Sequence, residues 1–181
     1  TTYDWGQYLV VQGDYENGIA RLEELVEKWG DSTRAADVQK ELASLYMEWG
    51  DSLAADLPAG YEKAIQVYNQ VAEKFPGSEQ AAQVSTSLIN LHFSAADTWM
   101  EDATTVTNNT SSAKVISDVE KAIGAFEAVK VIQPDHDLAR RWLSLLAYVD
   151  LEKDILFVAN PGTKTTLSIR VEMKRDDVSE N

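Results

Sequence analysis

The chain has 181 residues, of which 44% are hydrophobic and 25% are charged, which is the composition of a folded globular protein. Its 30 acidic and 16 basic residues give a net charge of −14, which argues against nucleic acid and anionic membrane surfaces as partners. The sequence contains no cysteine, which excludes disulfides and thiolate chemistry, and no run of 18 apolar residues that would cross a bilayer.

An internal repeat is the strongest signal in the sequence. The segment YENGIARLEELVEKWGDSTRAAD, which starts at Tyr15, aligns without a gap with YEKAIQVYNQVAEKFPGSEQAAQ, which starts at Tyr61. A third copy, VEKAIGAFEAVKVIQPDHDLA, starts at Val119. Apolar residues recur in each copy at the three- and four-residue spacing of an amphipathic helix, so each copy predicts one helix. Three ungapped copies indicate an array of repeated units.

A second helical pattern alternates with these copies. It is found as WGQYLVVQGD before the first copy, and as LASLYMEWGD, LINLHFSAAD and LLAYVDLEKD after the successive copies. Gly13 with Asp14, and Gly50 with Asp51, are predicted to end helices of this type and to open a turn. A small residue such as Gly6 is expected to let neighbouring helices approach closely. The sequence therefore predicts a chain of helix pairs.

These pairs resemble the tetratricopeptide repeat family. The shared pattern is a bulky apolar residue followed by a small one, an aromatic or Leu, then Gly-Asp-Tyr, a second small residue such as Ala64, and finally Pro or Gly. The resemblance covers about residues 1–157 and is most specific at Gly13-Asp14-Tyr15 and between Tyr61 and Pro76. It implies an all-α fold, an α-α superhelix of three to four helix pairs with long helices and a concave face.

The spacing of the copies departs from the family's 34-residue period, because the copies lie 46 and 58 residues apart. The inserted segments SLAADLP and TWMEDATTV are expected to extend the preceding helices. Residues 107–112 are expected to form an exposed loop, after which Ser117 and Glu120 form a capping box. We expect one helical repeat domain over residues 1–159 and a tail over 160–181, with repeats at about 1–31, 32–77, 78–135 and 136–159.

Aromatic residues and histidines are assigned to packing rather than to chemistry. Trp29, Phe75 and Phe126 recur at helical spacing and are predicted to lie in the core. His92 takes an aromatic position and is predicted to be semi-buried, whereas His136 lies in PDHD at the start of a helix, next to carboxylates that would bond it or cap the helix. No nucleophile–base arrangement or phosphate-binding loop is found, so no enzyme activity, cofactor or metal site is predicted.

The resemblance also implies a binding surface, because the first helix of each pair lines the concave groove of a tetratricopeptide array. The mapped positions mix Met, aromatic and polar groups, which suits an adaptable peptide-binding surface and equally suits packing between long helices. Only Lys40 and Asn90 match positions that hold a terminal carboxylate in some family members, so a carboxylate clamp is not expected. The predicted groove contacts are Lys40, Ser44, Met47, Thr86, Asn90, Phe93, Arg141, Ser144 and Tyr148.

The C-terminal tail differs from the rest of the chain. In TTLSIRVEMKRDD apolar and polar residues alternate, which predicts a strand. This strand would cap the last repeat, pair with another copy or begin a further domain, and a disordered tail is the remaining alternative. The apolar positions, which are candidates for oligomerisation, are Leu167, Ile169, Val171 and Met173.

Two functions are compatible with these features. The first is a non-enzymatic interaction module that binds a peptide or helix of a partner protein in the concave groove. The alternative is a scaffold that self-assembles through repeat ends or through residues 165–173. The FPGS junction at residues 75–78 resembles bacterial cell-envelope tetratricopeptide proteins, which include outer-membrane assembly lipoproteins and Tol-associated proteins. It favours the periplasm or cell envelope over the cytoplasm, and a start at Thr1 fits either a mature protein after signal removal or a shortened piece of a longer chain.

Overall fold

The computed structural model describes residues 1–105 and 111–146, and within these ranges all regular secondary structure is helical. The described helices are α1 Thr2–Val11, α2 Tyr15–Trp29, α3 Thr33–Ala54, α4 Tyr61–Lys74, α5 Glu79–Thr104, α6 Ser112–Ile132 and α7 Asp137–Leu146. None of them combines the length and apolar character needed to span a bilayer. The predicted all-α class is confirmed for this part of the chain, and the predicted strand at 165–173 lies outside it.

The chain divides into two compact units, Thr1–Leu91 and His92–Asn181, with the division inside α5. In the first unit each helix packs on the next one along the chain, α1 on α2, α2 on α3 and α3 on α4. In the second unit α6 packs on α7. The junctions predicted after residues 31, 77 and 135 each fall between two helices.

The turn between α1 and α2 follows the sequence prediction at Gly13 and Asp14. Gly13 has a φ of 82°, a left-handed conformation that glycine adopts without steric cost. The Asp14 carboxylate accepts a hydrogen bond from the backbone amide of Asn17 at 3.4 Å and so caps α2. These two residues reverse the chain within three positions, which brings α2 back against α1.

Glycine also sets how closely α1 and α2 approach. A Cβ atom at Gly6 would lie 2.9 Å from Leu22 Cδ2, and one at Gly18 would lie 2.7 Å from Val10 Cγ2. Leu22 and Val10 are buried, so neither side chain has free space to move into. The predicted role of Gly6 as a close-approach residue is therefore confirmed.

Gly50 does not end a helix, and this prediction is wrong. Helix α3 continues to Ala54, and Gly50 lies buried within it, where an added Cβ would be 2.5 Å from Cε1 of Tyr68. The Tyr68 ring is 2% exposed, and its hydroxyl donates a hydrogen bond to Asp51 at 2.6 Å. Glycine here makes room for an aromatic ring of α4, and burying that ring outweighs the roughly 1 kcal/mol that a glycine costs inside a helix.

Of the three aromatic residues predicted for the core, only Phe126 is fully buried, with 0% exposure. Phe75 is half-buried and packs on Tyr46 with ring centroids 5.8 Å apart. The prediction for Trp29 is wrong, since its side chain is 65% exposed. Trp29 and Phe75 are aligned in the repeat but differ in position relative to the helix end. Trp29 is the last residue of α2, which Gly30 caps, whereas Phe75 is itself the C-cap of α4.

The predicted capping box at Ser117 and Glu120 is also wrong. Helix α6 already begins at Ser112, and Ser111 caps it by accepting a hydrogen bond from the Lys114 amide at 3.2 Å. Ser117 therefore lies in the second turn, where its amide is bonded within the helix. Of the predicted loop at 107–112, residues 107–110 lie outside the described residues.

The inserted segments extend helices, as predicted for TWMEDATTV. Helix α5 runs on to Thr104, and Trp99 and Met100 in this extension are each 7% exposed. Helix α3 likewise runs four residues past Gly50. Apolar burial thus continues into the inserted part of α5, which makes the extension part of the folded structure.

His92 is 5% exposed and so lies deeper than the semi-buried position predicted for it, while its predicted packing role is confirmed. Burial lowers its pKa from the ordinary 6.5, so below that pH the unfolded chain binds a proton more readily than the folded chain. We expect the free energy of unfolding to fall as the pH drops from about 7 to 5.5, by up to about 1.4 kcal/mol per pH unit. Urea unfolding across this range measures the effect.

The variant His92→Phe keeps an aromatic ring at this position and removes the titrating group. It is expected to flatten the pH dependence, whereas the matched variant His136→Phe is expected to retain it. Equal pH dependence in the original protein and in His92→Phe would contradict this assignment.

Candidate functional site

The predicted groove residues of the first unit lie in different environments. Lys40 is exposed on α3, Ser44 is half-buried, and Met47 is only 8% exposed. The Ser44 hydroxyl accepts a hydrogen bond from the Gln80 side-chain amide at 2.9 Å. Met47 therefore contributes to the core of the first unit, while Lys40 presents its side chain to solvent. Two further predicted contacts, Thr86 and Asn90, are exposed on α5.

The remaining predicted contacts belong to the second unit. Phe93 is half-buried, with its ring 5.6 Å from Phe126 in an edge-on arrangement and 4.9 Å from the ring of His136. These contacts make Phe93 part of an aromatic cluster. Outside the described residues or described side chains lie Arg141, Ser144, Tyr148, Leu167, Ile169, Val171 and Met173.

An open cleft of about 650 Å³ lies in the first unit, between α3 and the corner that joins α4 to α5. Its volume is in the range that accommodates small ligands or a few side chains of a peptide. It is lined by Ala36, Gln39, Lys40, Ala43, Lys74, Phe75, Pro76, Gly77, Ser78, Glu79 and Gln80. Lys40 is the predicted groove residue that falls on this cleft.

The two walls of the cleft are partly apolar. Helix α3 contributes the small residues Ala36 and Ala43, which leave space above the helix, and the corner contributes Phe75 and Pro76. The corner is shaped by Gly77, whose φ of 86° is readily adopted only by glycine. These surfaces can bury an apolar side chain without any rearrangement of the backbone.

A partly exposed polar contact adjoins the corner, since the side chains of Lys74 and Glu23 are 42% and 37% exposed. The Lys74 ammonium donates to Glu23 and to the Tyr46 hydroxyl, each at 2.6 Å, and the Tyr46 hydroxyl donates to Glu23 at 2.7 Å. This arrangement joins α2, α3 and α4 at one point, and its Tyr46 also makes the ring contact with Phe75. The Phe75 wall is thus held in place before any ligand binds.

The ionisation of this contact favours its persistence at neutral pH. Burial raises the pKa of the Tyr46 hydroxyl, so the phenol stays protonated and donates its hydrogen bond to Glu23. Burial lowers the pKa of Lys74, but its hydrogen bonds with Glu23 and Tyr46 outweigh that effect and hold the pKa above 10.5. Lys74 therefore remains charged and bonded.

Lys40 differs from every other basic residue of the first unit. It is the one Lys or Arg within residues 1–91 that shows neither an ion pair nor a ring contact. Arg21 and Lys28 form ion pairs with Glu24, Lys63 pairs with Glu16, and Lys74 pairs with Glu23. The Arg34 guanidinium lies over the ring of Tyr3. The cleft thus offers an available positive charge, although Glu79 on its rim partly offsets it.

The sequence predicted Lys40 on α3 as a binding residue, but it did not predict that the corner at residues 75–78 forms the opposite wall of the cleft. The FPGS motif at residues 75–78 indicated a junction between repeats, and nothing in it indicated contact with Lys40, some 35 residues earlier. The local sequence did contain a usable signal for the corner. An aromatic residue and a proline directly before a glycine turn indicate a rigid apolar surface next to the start of the following helix. Pairing that corner with α3 required the tertiary structure.

The described His, Asp and Glu side chains do not gather into a metal site. Within residues 1–105 and 111–146, no group of three or more His, Asp or Glu side chains is placed to hold a metal ion. His136 Nδ1 is buried there without a hydrogen-bond partner, so neither neighbouring carboxylate bonds that atom. The cleft at Lys40 is the candidate binding site in the first unit.

Within residues 1–105 and 111–146 the regular structure is helical, α1 to α4 pack in succession, and the first unit carries a surface cleft. No protein-family model matches the chain, and comparison with curated proteins and with solved structures gives no match. The likeness to tetratricopeptide repeats therefore depends on the three aligned copies in the sequence itself.

Proposed function

We propose that the chain is a non-enzymatic interaction module of tetratricopeptide type that binds an extended peptide segment of a partner protein. The observation that carries the proposal is Lys40, an unpaired cation on the edge of a cleft of about 650 Å³ with partly apolar walls. A surface of this kind suits one anchoring side chain and one charged contact. Thr86 and Asn90, exposed on α5, are proposed as further contacts in the first unit.

The two halves of the cleft have separate tasks in this proposal. Phe75 and Pro76, with Ala36 and Ala43 opposite, take an apolar side chain of the peptide and supply affinity by removing it from water. Lys40 binds a carboxylate two or three residues away along the extended peptide and fixes its register. Because Tyr46 already holds Phe75, little conformational entropy is lost from the protein on binding.

A random peptide library displayed on phage tests the proposal directly. Panning against the chain is expected to select peptides in which an apolar residue lies near Asp or Glu. Lys40→Glu is expected to weaken binding of a selected peptide by roughly tenfold or more, because a repulsion replaces an attraction. Isothermal titration calorimetry or fluorescence polarisation gives the dissociation constants.

Two variants serve as controls for this measurement. Lys40→Arg keeps the charge and is expected to retain binding, and Lys28→Glu makes the same charge change at an exposed site on α2 and is expected to have little effect. Peptides whose affinity is indifferent to Lys40→Glu, or the absence of any selected peptide, would count against the cleft as the binding site.

A further inference from the structure

The side chain of Gln80 is held in a fixed orientation on the cleft. Gln80 is the second residue of α5, is half-buried and lines the cleft. Its side-chain nitrogen Nε2 donates a hydrogen bond of 2.9 Å to the hydroxyl oxygen of Ser44 on α3. A side-chain amide has two N–H donors and one carbonyl acceptor, and this bond uses one donor. Within the described residues, the second donor and the carbonyl oxygen Oε1 form no hydrogen bond, so both are available to a ligand.

A peptide in the cleft needs a partner of this kind for its backbone. In the proposed binding mode an apolar side chain of the peptide lies on Phe75 and a carboxylate lies at Lys40, so the backbone between them lies against the cleft. An extended segment does not satisfy its own N–H and C=O groups, and shielding them from water without a partner costs free energy. A neutral amide suits this backbone, because it accepts from an N–H and donates to a C=O.

The other polar side chains that line the cleft are less suited to this task. The Lys74 ammonium is already bonded to two side chains, and the Ser78 hydroxyl oxygen accepts a hydrogen bond from a backbone amide of α5. The carboxylate of Glu79 repels the carboxylate of the peptide. Gln39 has the same groups as Gln80, but among the described residues no hydrogen bond orients its exposed side chain. Ordering Gln39 on binding therefore costs more conformational entropy than using Gln80.

We propose that Gln80 binds the backbone of the peptide and that Ser44 is its positioning residue, an inference that rests on the proposed peptide-binding function. Gln80 Oε1 accepts a hydrogen bond from the N–H of a residue between the apolar side chain and the carboxylate, and its second N–H donates to a neighbouring carbonyl. Ser44 holds the amide in this orientation before the peptide binds. The intervening residue thus varies freely in its side chain but excludes proline, which has no N–H.

A double-mutant cycle tests the proposal, with a peptide selected from the phage library whose affinity falls in Lys40→Glu. Each N–H between the apolar residue and the carboxylate is replaced in turn by an ester oxygen, which removes the donor and keeps the shape of the backbone. At one position the ester is expected to weaken binding to the original protein roughly three- to tenfold. In Gln80→Met the same ester is expected to cost less than about twofold, because its partner is already absent. Fluorescence polarisation gives the dissociation constants.

Three further variants separate this role from a purely structural one. Gln83→Met is the matched control, since Gln83 is exposed on α5 outside the cleft lining, and it is expected to keep both the affinity and the full cost of the ester. Ser44→Ala is expected to reduce the cost of the ester, and Ser44→Thr, which keeps the hydroxyl, is expected to restore it. Circular dichroism establishes that each variant is folded.

Several results would overturn the proposal. They are esters that bind as well as the amide, an ester cost of equal size in the original protein and in Gln80→Met, and proline freely present between the two side-chain contacts in the selected peptides. An ester cost unchanged by Ser44→Ala would overturn the positioning role of Ser44. In each of these cases peptides that depend on Lys40 still support the proposed function, whereas a library that yields no peptide contradicts both proposals.

Discussion

Replacing Phe126 with alanine is expected to lower the free energy of unfolding of the second unit by about 3 to 5 kcal/mol. The Phe126 side chain is 0% exposed and stacks on Trp142 with centroids 5.7 Å apart and an interplanar angle of 3°. The same ring meets the edge of Phe93 at 5.6 Å. Truncation therefore removes two aromatic contacts and leaves a cavity that its rigid neighbours cannot fill.

Urea unfolding followed by circular dichroism and by tryptophan fluorescence measures this loss. Val131→Ala is the matched control, because Val131 lies on the same helix and is 84% exposed, and its truncation is expected to change stability by less than about 0.5 kcal/mol. Comparable effects of the two substitutions would show that Phe126 is not central to this core.

Gly50→Ala is expected to destabilise the first unit by roughly 2 kcal/mol or more, although alanine is ordinarily the better helix former. The new Cβ would lie 2.5 Å from Cε1 and 2.7 Å from Cδ1 of Tyr68. The ring cannot move aside cheaply, because it is buried and its hydroxyl is bonded to Asp51. Either α3 and α4 separate or this hydrogen bond breaks.

The same substitution at Gly124 is expected to have the opposite sign. Gly124 also lies within a helix, α6, but an added Cβ there meets no atom within 4 Å. Gly124→Ala is thus expected to stabilise the protein by about 0.5 to 1 kcal/mol through helix propensity alone. Urea midpoints of the two variants provide the comparison, and an equal change in both would refute the steric explanation for Gly50.

The positions of the helices were predictable because apolar spacing is a property of local sequence. The copies from Tyr15 and from Tyr61 became α2 and α4 with their first residues as aligned, and Gly13 formed the turn that its type favours. In each case the local preference and the tertiary packing require the same conformation. Nothing in the surrounding structure opposes the signal, so the local pattern is sufficient.

Predictions failed where a tertiary contact competed with a local signal. Gly50 has the features of a helix end, but the ring of Tyr68 uses its missing side chain as space within a continuing helix. Ser117 has the features of a cap, but Ser111 starts the helix two turns earlier. The cleft was not predictable for the same reason, since Lys40 and Gln80 line one cleft only in the folded structure.

The long helices α3 and α5 have a consequence for how such a chain can change its length during evolution. They contain 22 and 26 residues, and their extra residues follow the positions that the repeats have in common. An insertion at the end of a helix adds about 1.5 Å of axial length per residue and leaves the preceding contacts in register. Repeats of unequal length can therefore coexist in one chain, because residues added at a helix end extend the protein surface without disturbing the existing helix contacts.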